Sequence, residues 1–243
     1  MKLDVMLLAP HPDDIELGTG GTIAKLVAAG RKVGVVDLTR GELGSRGSAE
    51  LRDEEAAKAA AVLGLSVREN LRFRDGFFTH DEAHIRAIIQ QVRRYQPDLV
   101  IANAPEDRHP DHGRASKLIR DAVFLSGLRK IETEWEGQAQ AEWRPQRTFF
   151  FIQDYDLQPD FVIDITDFWE QKKQAILAYG SQFYNPDQAQ GGDDEPETYI
   201  SNADFWHFLE ARARKTGHQV GATFGEGFLS ETPLHVQSPL DLL

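Results

Sequence analysis

Residues 3–9 form an apolar run broken only by Asp4, and the run stops at Pro10-His11-Pro12. A strand covered on both faces of a parallel sheet has this unalternating pattern, whereas a strand with one wet face would alternate. The run therefore calls for helices on both sides of the first strand, and the next segments supply them. Residues 22–29 have helical composition and stop at Gly30, and residues 32–38 read as a second buried strand. Residues 50–63 (ELRDEEAAKAAAVL) form a helix ending at Gly64. Leu71 and Phe73 mark a short third strand, 81–95 carry apolar residues at helical spacing, and 98–102 form a fourth strand. This alternation predicts an α/β fold: a doubly wound, mostly parallel, Rossmann-like sheet with helices on both faces in three α/β/α layers. Ligands bind such sheets beyond the carboxyl ends of the strands, so the loops after Ala9, Leu38 and Ala102 are expected to share one face.

Residues 132–147 turn polar and read as a surface excursion, followed by strands at 147–152 and 161–165 and helices at 167–179 and 203–216. Residues 185–197 (NPDQAQGGDDEPE) form an acidic loop of a length that often covers a site. The tail after Gly227 reads as a strap or an oligomer contact. No repeat or linker divides the chain, so residues 1–243 are expected to form one domain.

Composition narrows the function. Hydrophobic residues make up 41% and charged residues 27%, the usage of a folded protein. No apolar stretch approaches the roughly 20 residues of a membrane helix, and the N-terminus lacks a signal-peptide profile, so a soluble cytoplasmic protein with no membrane partner is expected. The formal charge of −12 makes nucleic acid a poor partner. With no cysteine, disulfides, thiolate nucleophiles and sulfur-ligated zinc are excluded, so a metal would have to rest on His, Asp or Glu.

Two tetrapeptides fall at the expected ligand face: His11-Pro12-Asp13-Asp14 after strand one and His109-Pro110-Asp111-His112 after strand four. Together they offer several ligands suited to zinc or ferrous iron, more than turn residues require. Other features are read as structural. Gly18-Thr19-Gly20-Gly21-Thr22-Ile23 lacks the third glycine of the dinucleotide fingerprint, so its glycines are assigned to tight helix entry and close packing on the sheet. A nucleotide-binding Rossmann protein remains the alternative from another class, and a non-catalytic sugar-binding module a third. His80 and His84 lack the zincin pattern and read as a solvated polar face. Ser45, Ser48 and Ser181 lack a nucleophile elbow.

The segments Ala9-Pro10-His11-Pro12-Asp13-Asp14-Ile15-Glu16 and His109-Pro110-Asp111-His112, with Gly20-Gly21, resemble the PIG-L/LmbE-like family of metal-dependent N-deacetylases. Residues 38–47 and 51–57, Ser181-Gln182-Phe183 and Glu197-Thr198-Tyr199-Ile200-Ser201 resemble the bacillithiol biosynthesis deacetylase branch. Pro10 departs from the small residue common before the histidine and should stiffen the loop. The resemblance implies one divalent metal per subunit, Zn or Fe2+, held by His11, Asp14 and His112. It implies Asp13 as general base, and His109 as a cationic partner of the tetrahedral intermediate, oriented by Asp111. It places Arg52 and Arg108 on the substrate's carboxylates and Tyr199 near the oxyanion; a surface ion pair with Glu55 is the plainer reading of Arg52. The implied substrate is N-acetylglucosaminyl malate, which would lose acetate. A bacillithiol S-conjugate amidase or another N-acetylglucosamine-derivative deacetylase is the alternative. The implied assembly is a homo-oligomer, with a hexamer as one arrangement.

Overall fold

In the computed structural model, which describes residues 1–184 and 195–238, the opening apolar run becomes β1 (Val5–Ala9), buried at every position. β1 pairs in parallel with β2 (Val33–Thr39) on one side and with β4 (Leu99–Asn103) on the other. Its alternate side chains enter two cores, which is why the run cannot alternate in polarity. Val5 and Leu7 pack with Ile15 and Ile23 of α1 (Asp14–Ala28). Met6 and Leu8 pack with Ile88 and Val92 of α3 (Glu82–Tyr95) and with Leu118 and Ile119 of α4 (Pro110–Ser126).

The main sheet runs β3-β2-β1-β4-β7-β9-β8, with β3 (Val67–Phe73), β7 (Arg147–Phe151), β8 (Phe161–Asp164) and β9 (Gly225–Ser230). The strands from β3 through β7 are parallel, and β9 pairs antiparallel with both β7 and β8. The expected doubly wound α/β class is the observed one. A hairpin of β5 (Glu134–Trp135) and β6 (Gln138–Ala139) lies within the polar excursion. The remaining helices are α2 (Ala49–Leu63), α5 (Trp169–Leu177) and α6 (Ala203–His218). Among the described residues, no helix is long and apolar enough to cross a membrane.

Two expectations are corrected. The first residues of the tail after Gly227 are not a strap: 228–230 complete β9, inserted between β7 and β8, and the short, glycine-containing segment GEGFLS hid the strand. The helix after β1 starts at Asp14 rather than at residue 22, so the glycines lie inside it. Their service as close-packing residues remains: a Cβ on Gly18 would stand 2.2 Å from the Phe151 ring, and one on Gly21 2.7 Å from Ile165.

Helix α1 is kinked at Thr19 (φ −149°). A kink frees backbone N–H groups that would otherwise bond four residues back. Glu226 of β9 takes up two of them, Gly21 N at 3.0 Å and Thr22 N at 2.8 Å, together with the Thr22 hydroxyl. Its charge is matched by buried Lys172 of α5 at 2.6 Å. Glu226→Ala would strand a buried ammonium and two amides, so a loss of about 3–5 kcal/mol of stability is expected in urea denaturation. A loss under about 1 kcal/mol would contradict the assignment of this carboxylate as the fastener of the kink.

Candidate active site

The chain leaves β1 toward β2 on one side, while β4 lies on the other, so the crevice between β1 and β4 is a topological switch point, where open α/β sheets bind ligands. The two His-Pro-Asp loops emerge on either side of it. One ligand atom from each of His11, His109 and His112 lies within 4.8 Å of the others, and the same holds for His11, Asp75 and Asp111. A cavity of about 540 Å³ opens over these groups.

Asp14, the first residue of α1, faces both histidines. Its Oδ2 accepts the His11 backbone N–H at 3.0 Å and lies 3.2 Å from His11 Nδ1, and its Oδ1 lies 3.2 Å from His112 Nε2. Burial opposes charge here, but the neighbouring His112 and His11 hold the Asp14 carboxyl well below the usual carboxylate range. The outer ring nitrogens are also taken: His112 Nδ1 meets Asp107 Oδ2 at 2.7 Å, and His11 Nε2 meets Asp75 Oδ1 at 3.1 Å. Gln153 Nε2 donates to Asp14 Oδ1 at 2.7 Å. Although burial works against them, Asp111, Asp14 and Asp75 hold the His11 imidazolium well above its ordinary value, and Asp14 and Asp107 push His112 up to about 9. A carboxylate between two imidazole nitrogens, each ring fixed from behind by a further carboxylate, is a donor set that zinc and ferrous iron accept. The residues present therefore fit a divalent cation.

Asp13 sits beside this cluster with φ 105°, a backbone region most side chains avoid. Its Oδ2 accepts a hydrogen bond from Arg52 Nη2 at 2.8 Å. Burial pushes the Asp13 carboxyl up to about 7, against the pull of the Arg52 cation. Arg52 is thus neither a surface residue nor paired with Glu55, whose carboxylate accepts from the Ser181 backbone N–H and hydroxyl instead. Its Nη2 also donates to the Pro12 carbonyl, and its buried Nε meets no acceptor.

The second loop departs from expectation in one contact. Asp111 does not orient His109 through its carboxylate. That carboxylate accepts from the Gly76 backbone N–H at 2.9 Å and from Arg114 at 2.8 Å, and it lies 3.4 Å from His11 Nε2. His109 caps α4, with Nδ1 accepting the Asp111 backbone N–H at 3.2 Å, so a neutral ring carries its proton on Nε2. Burial, then the charges on His11 and His112, lower the pKa of His109. The physical reason is the N-cap geometry: it turns the His109 ring onto the helix amide and leaves the Asp111 side chain to back His11.

Arg108 and Tyr199 stand at the cavity mouth. Arg108 Nε donates to Asp154 Oδ2 at 2.8 Å, its guanidinium lies 4.4 Å over the Tyr199 ring, and the Tyr199 hydroxyl donates to Asp154 Oδ1 at 3.2 Å. Tyr199 is therefore tied to the mouth rather than to the histidine cluster. His80 and His84 stay outside the site, paired with Asp121 and Asp81. Residues 185–194 of the expected covering loop lie outside the described residues. Sequence reasoning missed Asp75, Asp107, Gln153 and Asp154. Asp107 sits two residues before the second motif and could have been noticed; Asp75 and Gln153 follow β3 and β7 without any local signature.

A histidine and aspartate cluster at the switch point of a three-layer fold defines the class, a doubly wound α/β protein whose site residues fit a divalent cation. Residues 6–123 match the family described as PIG-L, GlcNAc-PI de-N-acetylase. The chain is 30% identical over 189 residues to a diacetylchitobiose deacetylase of Thermococcus kodakarensis, covering 74% of this chain and 70% of that protein. It is 26% identical over 196 residues to the probable N-acetyl-α-D-glucosaminyl L-malate deacetylase 2 of Bacillus anthracis, covering 74% and 81%. Among solved structures, the conserved protein TT1542 of Thermus thermophilus superposes with a TM-score of 0.84 at 38% identity, covering 96% of this chain and 97% of that one. The chain belongs to the PIG-L family and is an amide-hydrolysing deacetylase of that family.

Proposed function

We propose that this enzyme removes acetate from N-acetylglucosaminyl malate, using His11, Asp14 and His112 to hold one divalent cation, zinc or ferrous iron. The observation that carries the reading is the convergence of those three side chains with Asp13 and His109 in one cavity. A cation held there would supply Lewis acidity, lowering the pKa of a water from about 15.7 toward 7 and favouring attack on the acetamide carbonyl. Asp13, adjacent to Asp14 but held by Arg52, takes the proton of the attacking water and returns it to the departing nitrogen. The new bond joins the water oxygen to the acyl carbon, the C–N bond breaks, and acetate and a free amine result. His109 donates from Nε2 to the oxyanion as charge develops, a contact a neutral ring can make. Asp111, Asp75 and Asp107 hold the His11 and His112 rings.

For the aglycone, Arg52 and Arg108 both line the cavity, and the Bacillus relative is named for a malate conjugate. A second reading has a specific observation behind it: Arg52 is already paired with Asp13, and Arg108 with Asp154, which balances the charge of the mouth and favours a neutral second sugar. The deciding experiment measures acetate release from N-acetylglucosaminyl malate, diacetylchitobiose and plain N-acetylglucosamine, with the protein as isolated, chelated, and reloaded with zinc or ferrous iron. Chelator-sensitive release is expected, with kcat/KM for the malate conjugate about 10-fold or more above plain N-acetylglucosamine, the worth of one charge-assisted contact. Preference for diacetylchitobiose would move the assignment to the second reading. No release from any of them in any metal state would refute the deacetylase mechanism.

A further inference from the structure

We propose that Arg212 forms a carboxylate subsite that receives the acid released by hydrolysis; this deepens the deacetylase reading and rests on it. Arg212 lies on α6, and its Nη2 donates to the Leu17 carbonyl of α1 at 3.3 Å. Its guanidinium also lies 5.4 Å from the centre of the Phe208 ring. Among the described residues it has no carboxylate partner. The two carboxylates that bear most on it, Asp154 and Asp107, are already engaged by Arg108 and His112. Arg212 is half-buried, and a guanidinium partly withdrawn from water with no carboxylate hydrogen-bonded to it is open to an anionic ligand.

Its position supplies the ligand's chemistry. Arg212 lines a small cavity together with His109, His112 and Gln153, walled by Leu17 and Phe205; Arg108, Tyr199 and the Asp154 carboxylate that they engage border it as well. An acyl group released beside His109 and His112 has the apolar wall for its methyl group. The substrate's acetamide is neutral and gains nothing from a distant cation. The product is a carboxylate, and a guanidinium can hold it by two parallel N–H···O bonds. Arg212 therefore distinguishes product from substrate. It also lines a neighbouring cavity with Leu209, Lys172 and Lys215, where Asp156 and Glu226 stand as well.

The test is product inhibition by acetate in the metal-loaded enzyme, for wild type, Arg212→Gln and Arg212→Lys, with melting temperature and metal content measured for each. Arg212→Gln is expected to raise the acetate inhibition constant about 10-fold or more while kcat/KM changes less than about 3-fold, and Arg212→Lys should fall between. An unchanged inhibition constant in a folded, metal-replete Arg212→Gln would overturn the subsite, as would a parallel loss of kcat/KM, which marks a structural role. Should both variants fail to fold, the wild type decides through nuclear Overhauser contacts from the acetate methyl: contacts to Leu17 and Phe205 support the subsite, and their absence overturns it. If wild type releases no acetate from any substrate, the deacetylase reading itself fails, whereas release with unaltered acetate inhibition in the variant removes only the subsite.

Discussion

Asp13→Asn is expected to keep its metal and to lose about two to four orders of magnitude in kcat, the contribution of a positioned general base. Asparagine is the informative replacement because the backbone at this residue has φ 105°, which Asn and Asp tolerate better than alanine does. It also retains an oxygen for Arg52 Nη2, which would otherwise lose its side-chain acceptor in a buried setting. Asp13→Ala combines loss of the base with backbone strain and an unpaired arginine, so it should lower the melting temperature as well as the rate. Asp13 makes no hydrogen bond to His11 or His112, so metal content should follow wild type in the asparagine variant. A folded, metal-replete Asp13→Asn with near wild-type kcat would remove Asp13 from the mechanism. A variant that loses its metal would make Asp13 a ligand instead.

His112→Ala should abolish tight metal binding and, with it, acetate release. His112 is held at both ends, with Nδ1 on Asp107 at 2.7 Å and Nε2 3.2 Å from Asp14, so its ring cannot be replaced by a small rearrangement. Asp107→Asn should weaken metal affinity by about 10–100-fold, the usual consequence of removing the group behind a ligating histidine. His109 provides the contrast. Its ligand atom also lies within 4.8 Å of those of His11 and His112, so geometry alone would admit it as a third nitrogen ligand. In the proposed arrangement Asp14 fills that role, and His109→Ala retains the metal while kcat falls. Metal analysis after dialysis decides the matter: full metal in His112→Ala would refute that ligand, and loss of metal in His109→Ala would exchange His109 for Asp14.

Much of the site was legible because the two His-Pro-Asp motifs are contiguous in the chain and each directly follows a strand. Residues within one loop share a neighbourhood whatever the rest of the fold does. The relation of Asp111 to His109 was legible only in part: adjacency made them partners, but the N-cap turned the ring toward a backbone amide and released the carboxylate to Gly76, Arg114 and His11. Arg52 illustrates the same limit. Its place on α2 near Glu55 suggests a helix-face ion pair, yet the helix lies with this side inward and Arg52 meets Asp13 across 39 residues.

The sequence by itself determined the layered α/β class, through an apolar first strand that demands cover on both faces, and it singled out the two His-Pro-Asp loops that meet at the switch point. Tertiary structure decided the groups behind them, of which only Asp107 lies beside a motif in the sequence. Asp75, Asp107 and Gln153 reach the ligand side chains because parallel strands deliver all their following loops to one edge of the sheet. Glu226 reaches the kink of α1 because β9 returns between β7 and β8. Such pairings join residues up to about 200 positions apart, a range at which local propensity and hydrophobic period carry no signal and only the packing of whole elements sets which side chains meet.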